Sequence, residues 1–165
     1  MNEDLESGFL RMLETYGRPL RRLCKVYLRD AAEQEDLFQE IAFAIWTALP
    51  NFRRDSTERT WAYRIAHNVA LSYSAKRRRQ QCSELPMETL PCDPAIEGQV
   101  QRNELLDAVH QLKPIDRHLV VLYLEGLTAR EIAEVTGLTV DSIGVRLSRM
   151  KHRLAVMLHG KENNK

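Results

Sequence analysis

The sequence predicts an all-α protein: two small helical domains joined by a flexible linker, the second of them a helix-turn-helix. Three observations predict it. Apolar residues recur at threes and fours through residues 4–79 and again through 101–159, the spacing of amphipathic helices. Between these blocks, residues 80–100 lose all periodicity to Pro86, Pro91, Pro94 and Gly98. Near the end, Thr128–Leu154 reads as a short capped helix, a glycine-containing turn and a longer helix. The domain boundaries that follow are 1–80, a linker over 81–100, and 101–165.

The first helical stretch spans residues 4–29, with Leu5, Phe9, Met12, Tyr16, Leu20, Leu23 and Tyr27 in register. Gly17 and Pro19 are expected to split it, because Pro19 has no N–H for the helix ladder. Residues 30–49 give the strongest helix. Asp30 is its expected N-cap, and Glu33, Glu35 and Asp36 sit where the helix dipole favours anions. Leu37, Ile41, Ile45 and Leu49 form an i, i+4 stripe, Phe38, Phe43 and Trp46 widen the apolar surface, and Pro50 ends the element. The acidic edge Glu35, Asp36, Gln39 and Glu40 is by itself either a solvated face or a docking face. After a polar loop over 51–59, a third helix is expected from Trp61 to Arg79, capped by Thr60 or Ser56. Trp61, Ile65 and Val69 share one of its faces, and Arg64 and Asn68 lie about 100° round from it.

Beyond the linker, Leu105, Leu106, Val109 and Leu112 mark one helix. Pro114 opens the next at an N1-like position, and Gly126 closes it. Thr128 with Glu131 fits a capping box for a third, Gly137 turns the chain, and Thr139 can cap a fourth that carries Val140, Ile143, Leu147, Met150 and Leu154. In a helix-turn-helix this last helix enters the DNA major groove.

The 165 residues carry a net charge of only +1, but the charge is patterned. Residues 1–80 and 111–165 are each net +3, and residues 81–110 are net −5. Two basic lobes around an acidic strip suit two separate contacts with a polyanion. Asn51–Arg79 is the most basic part, net +6, and interleaves Phe52, Trp61, Tyr63 and Tyr73 with its cations. Such a surface suits single-stranded nucleic acid, where cations track phosphates and rings stack on bases; rings in a core with solvated arginines is the alternative. No apolar run reaches the roughly 18 residues of a membrane span, and the acidic start lacks a signal-peptide h-region, so a cytoplasmic protein with no direct membrane insertion is expected. Cys24, Cys82 and Cys92 form no CxxC pair, so no metal site is expected. No acid–base pair or phosphate-cradling glycine loop is present, which argues against an enzyme and against a cofactor.

The runs AAEQEDLFQEIAFAIWTAL, NFRR-DS, RTWAYRIAHNVALSY and KRRR resemble region 2 of bacterial sigma factors. The C-terminal run PIDRHLVVLYLEGLTAREIAEVTGLTVDSIGVRLSRMKHRL resembles region 4. In this order, joined by a short linker over about residues 5–158, they are similar to the extracytoplasmic-function branch of the sigma-70 family. The resemblance implies a non-catalytic protein that binds core RNA polymerase and directs it to recognise and open promoter DNA, duplex at the −35 element and melted strand at the −10 element. It also implies an anti-sigma factor as a partner. A two-domain helix-turn-helix regulator that never engages polymerase is the alternative, and it leaves the DLFQE edge unexplained.

The resemblance also implies sites. Core-polymerase docking falls on Glu35, Asp36, Leu37, Gln39 and Glu40. The −10 strand falls to Arg53, Trp61, Arg64, Asn68, Lys76 and Arg77, with Asn68 matching the base-reading asparagine and Trp61 wedging or supporting its pocket. The −35 duplex falls to Arg130, Val145, Arg146, Ser148, Arg149 and Lys151. The chain departs from the common pattern at Gly144-Val145, which offers no side-chain hydrogen bond to a base and leaves apolar contact or DNA shape. It departs again at Arg54, where glycine is common, and at Thr57-Glu58-Arg59.

Overall fold

The computed structural model describes residues 2–81 and 97–162. Among them are seven α-helices, one 3-10 turn and no strand. The N-terminal lobe comprises α1 (Asn2–Tyr27), α2 (Ala31–Ala48), the 3-10 turn Leu49–Asn51 and α3 (Glu58–Gln81). The C-terminal lobe comprises α4 (Glu97–His110), α5 (Pro114–Leu124), α6 (Ala129–Thr136) and α7 (Val140–Glu162). Helix α4 starts at Glu97, inside the stretch read as linker, whereas Cys82, Cys92 and the three linker prolines lie outside the described residues.

Helix α1 corrects one expectation: it runs unbroken through Gly17 and Pro19. A proline in a helix interior costs about 3 kcal/mol. Met12 before it and Leu20 and Leu23 after it are 3%, 1% and 0% exposed. Each buried side chain of that size contributes about 1.5–3 kcal/mol, so packing on both flanks of Pro19 outweighs the break. Asp30 caps α2 by accepting the Glu33 N–H at 2.9 Å. The third helix begins earlier than expected, and its cap is neither Thr60 nor Ser56. Thr57 Oγ1 accepts the Thr60 N–H at 3.1 Å, while Thr60 is buried one turn inside.

In the second lobe, α4, α5 and α6 all pack on α7. The Thr128–Glu131 capping box is formed in both directions. Gly137 ends α6 with φ +74, the left-handed region where an L side chain is strained. Thr139 Oγ1 accepts the Ser142 N–H at the start of α7.

The two lobes lie against each other. Helix α1 contacts α4 and α5, and α3 contacts α6. The buried residues form one hydrophobic cluster from Met12 to Leu154. Three ion pairs cross the seam: Arg22–Glu125, Arg59–Glu131 at 2.9 Å and Arg29–Asp107 at 3.5 Å. Exposed pairs contribute about 0.2–1 kcal/mol each, so the seam is held mainly by its apolar contacts.

Candidate nucleic-acid and polymerase interfaces

Helix α2 presents the acidic edge. Asp36, Gln39 and Glu40 are exposed on one side of it, and Phe43, 71% exposed, continues that side by one turn. Across from them, Tyr73, Lys76 and Arg77 of α3 close a groove that also takes in Glu33. Arg77 Nε lies 2.9 Å from the Glu33 carboxylate. The structure therefore brings two expected sites together: the docking carboxylates and two of the −10 cations share one groove. Glu35 stands apart. Its carboxylate pairs with Arg21, which holds its pKa below the usual carboxylate range, and the Arg21 guanidinium lies 3.8 Å from the Phe38 ring centroid.

Leu37 is a correction. Its side chain is wholly buried with Ile41 and Ile45, so it is a core residue and offers no docking surface. The i, i+4 stripe in the sequence already carried that outcome; only the resemblance placed Leu37 at the edge. Trp61 is 8% exposed and packs tilted against Phe52, with ring centroids 4.8 Å apart and 41° between the ring planes. It backs the loop before α3 through Phe52 and does not stand out as a wedge. Asn68 is exposed in a second groove, beside Glu40, Phe43, Ala44, Val69 and Ser72. Arg53 and Arg64 are exposed. Arg54 adopts φ +58, so the departure from glycine falls at a position whose backbone is left-handed.

On the second lobe, Val145 is 52% exposed, and Arg130, Ser148, Arg149 and Lys151 are exposed. Arg146 is half-buried, and its guanidinium donates to Asp116 of α5 at 3.0 Å. That contact fixes the side chain while leaving other donors of the fork unused by Asp116. Lys151 donates to the Tyr123 hydroxyl at 2.9 Å and lies 4.1 Å from the ring centroid. Asp116 and Tyr123 were missed because nothing local in the sequence links residues 30 and 28 positions apart. Among the described residues, no group of three or more His, Cys, Asp or Glu is placed to hold a metal. Cys24 is buried, and burial pushes its thiol pKa up to about 12.

Two all-α lobes, one with an acidic edge and a basic third helix, the other a capped helix-turn-helix, match two known sequence families in the same order. Sigma-70 region 2 matches residues 12–80, and sigma-70 region 4 matches residues 102–154. The RNA polymerase sigma-H factor of Pseudomonas aeruginosa is 31% identical over 154 residues, covering 84% of this chain and 80% of that protein. The ECF RNA polymerase sigma factor SigX of Bacillus subtilis is 25% identical over 142 residues, 79% of this chain and 73% of that one. In fold, the chain is similar to the sigma factor RpoE solved in complex with the anti-sigma factor NepR from Bartonella quintana. The TM-score is 0.80 at 24% identity, over 92% of this chain and 97% of that one. The chain belongs to the sigma-70 family, in its extracytoplasmic-function branch.

Proposed function

We propose that this chain is the promoter-recognition subunit of an RNA polymerase holoenzyme, docking on core polymerase and contacting promoter DNA with both lobes. The observation that carries this reading is the α2 edge of Asp36, Gln39, Glu40 and exposed Phe43 beside exposed Asn68, in a chain that also bears a helix-turn-helix. Exposed carboxylates next to an exposed aromatic suit a basic protein partner. A regulator that binds only duplex DNA has no use for that edge. Run-off transcription with purified core polymerase tests the proposal: promoter-dependent transcripts are expected, and their absence from every promoter the chain binds would overturn it. The chain itself supplies no chemistry; the polymerase does.

Within that reading, Asp36, Gln39 and Glu40 make the core-polymerase contact, with Glu35 at its margin. Asn68 hydrogen-bonds the edge of a base flipped from the melted −10 strand, whose unstacking costs a few kcal/mol. Arg53, Arg64, Lys76 and Arg77 attract the strand's phosphates, and Trp61 holds the loop. Arg146 and Arg149 reach the −35 groove with Val145 and Ser148, while Arg130 and Lys151 sit at its phosphate rim. An anti-sigma factor is the proposed inhibitory partner, as the RpoE complex with NepR suggests by likeness.

Two substitutions probe the first lobe. Asp36→Arg is expected to weaken core-polymerase binding in a pull-down titration by roughly tenfold, or about 1.4 kcal/mol. Asn68→Ala is expected to lower permanganate reactivity of −10 thymines while leaving duplex binding by the second lobe unchanged.

A further inference from the structure

At the centre of the seam between the lobes, two histidine rings meet. His67 of α3 and His118 of α5 lie with centroids 4.2 Å apart, and the Tyr27 ring of α1 lies 5.6 Å from His118. The rings are 4% and 0% exposed. Neither nitrogen of His118 and not Nδ1 of His67 has a hydrogen-bond partner. Buried polar groups are normally satisfied, and an apolar ring would fill this space without the desolvation penalty. The pair is therefore a poor choice for stability alone, and it sits where the two lobes must part.

The closed molecule cannot reach both promoter elements. They are centred about 25 positions apart, roughly 85 Å of duplex at about 3.4 Å per base pair. A folded globule of this length has a radius of gyration of about 15 Å, or about 40 Å across. Opening the seam is a precondition for the proposed function.

We propose that His67 and His118 form a proton-operated latch: both imidazoles neutral, the lobes stay closed; either one protonated, they part. The consequence for transcription rests on the sigma-factor reading, but the latch itself does not.

The surroundings support this. Burial lowers the pKa of both imidazoles, and His67 beside it lowers that of His118 further. The titratable groups on the elements packed there do not compensate a new positive charge. Tyr27, Tyr63 and Cys24 are held neutral by burial. Arg117 of α5 is itself cationic and bonds the Leu112 carbonyl. Arg22 and Arg59 are cationic and engage Glu125 and Glu131 at the periphery. Glu131 has its pKa lowered by the Thr128 N–H and by Arg59, so that ion pair persists below the ordinary carboxylate range.

The sign follows from linkage. The closed state binds fewer protons than the open state, whose histidines titrate near 6.5. The contribution of the neutral imidazoles to closure is fully present above that pH and weakens as pH falls below it, by up to about tenfold per pH unit for each imidazole.

Small-angle scattering of the full chain, without polymerase, tests the latch separately from the sigma reading. At pH 7.5 the radius of gyration is expected near 15 Å, and at pH 5.5 above about 20 Å as two lobes of about 80 residues separate. The double variant His67→Phe/His118→Phe is expected to stay near the closed value at pH 5.5, with its helix content checked by circular dichroism. His118→Arg, charged at every pH, is expected to be open already at pH 7.5 and serves where the double variant does not fold. His110, at the same seam beside Lys25, is the control, and His110→Gln is expected to keep the response. A wild-type chain that stays closed at pH 5.5, an equal response in the folded double variant, a closed His118→Arg chain at pH 7.5, or a response lost with His110 alone would each overturn the proposal.

Discussion

Arg54 holds a left-handed backbone with φ +58 in the loop between the 3-10 turn and α3. For an L residue that conformation costs about 1–2 kcal/mol, part of which glycine returns through its freer unfolded chain. Arg54→Gly is therefore expected to stabilise the protein by about 0.5–1 kcal/mol in urea denaturation. If stability falls instead, the Arg54 side chain contributes more than its backbone costs. The sequence suggests something unusual at Arg54, because the family resemblance expects glycine there, but a torsion angle is not written in residue types. Leu37 and Trp61 show the same limit from the other side. Each has the right residue type for an interface and both are turned inward; the i, i+4 stripe already implies this for Leu37, whereas only packing shows it for Trp61. Asn68, in contrast, stays exposed where its helical register places it.

Helices were legible wherever caps and periodicity agreed. Asp30, Pro114, the Thr128–Glu131 box, Gly137 and Thr139 all act at the ends where the sequence placed them. The unbroken α1 shows a local rule overruled by burial. Pro19 should end a helix, but α1 is buried on both sides of it and continues. Replacing Pro19 with Ala restores an N–H for the Thr15 carbonyl and is expected to raise stability by about 1–3 kcal/mol in the same denaturation measurement. A loss of stability would mean that the packing of α1 needs the geometry proline imposes. The acidic edge of α2 is exposed at Asp36, Gln39 and Glu40, where the helical register puts it, yet that register does not disclose its opposition to Lys76 and Arg77. Helical spacing orders residues on one helix and says nothing of which face a second helix will oppose.

At the scale of the molecule, the sequence divides the chain into two lobes but does not show how they sit. The contacts that join them lie between residues such as Arg22 and Glu125, 103 positions apart. The Arg22 guanidinium meets the Glu125 carboxylate through two nitrogens, one at 2.7 Å. Arg22→Glu is expected to loosen the seam, and Arg22→Glu/Glu125→Arg to restore it. A double-mutant cycle on the closed fraction, followed by scattering at pH 7.5, should give a coupling of about 0.5–3 kcal/mol. Additive effects would show that the two side chains do not act on each other across the seam.

The closed seam also bears on how tightly the free chain can hold a promoter. Two tethered DNA-binding modules normally gain from avidity, because binding by the first presents the second at a millimolar effective concentration, unless geometry forbids simultaneous engagement. Here the seam forbids it: with α3 against α6 and α1 against α5, one chain cannot hold both elements at once. While the seam is closed, each lobe binds with its own affinity alone. The chelate advantage becomes available only when the lobes part, so promoter occupancy is coupled to whatever opens the seam.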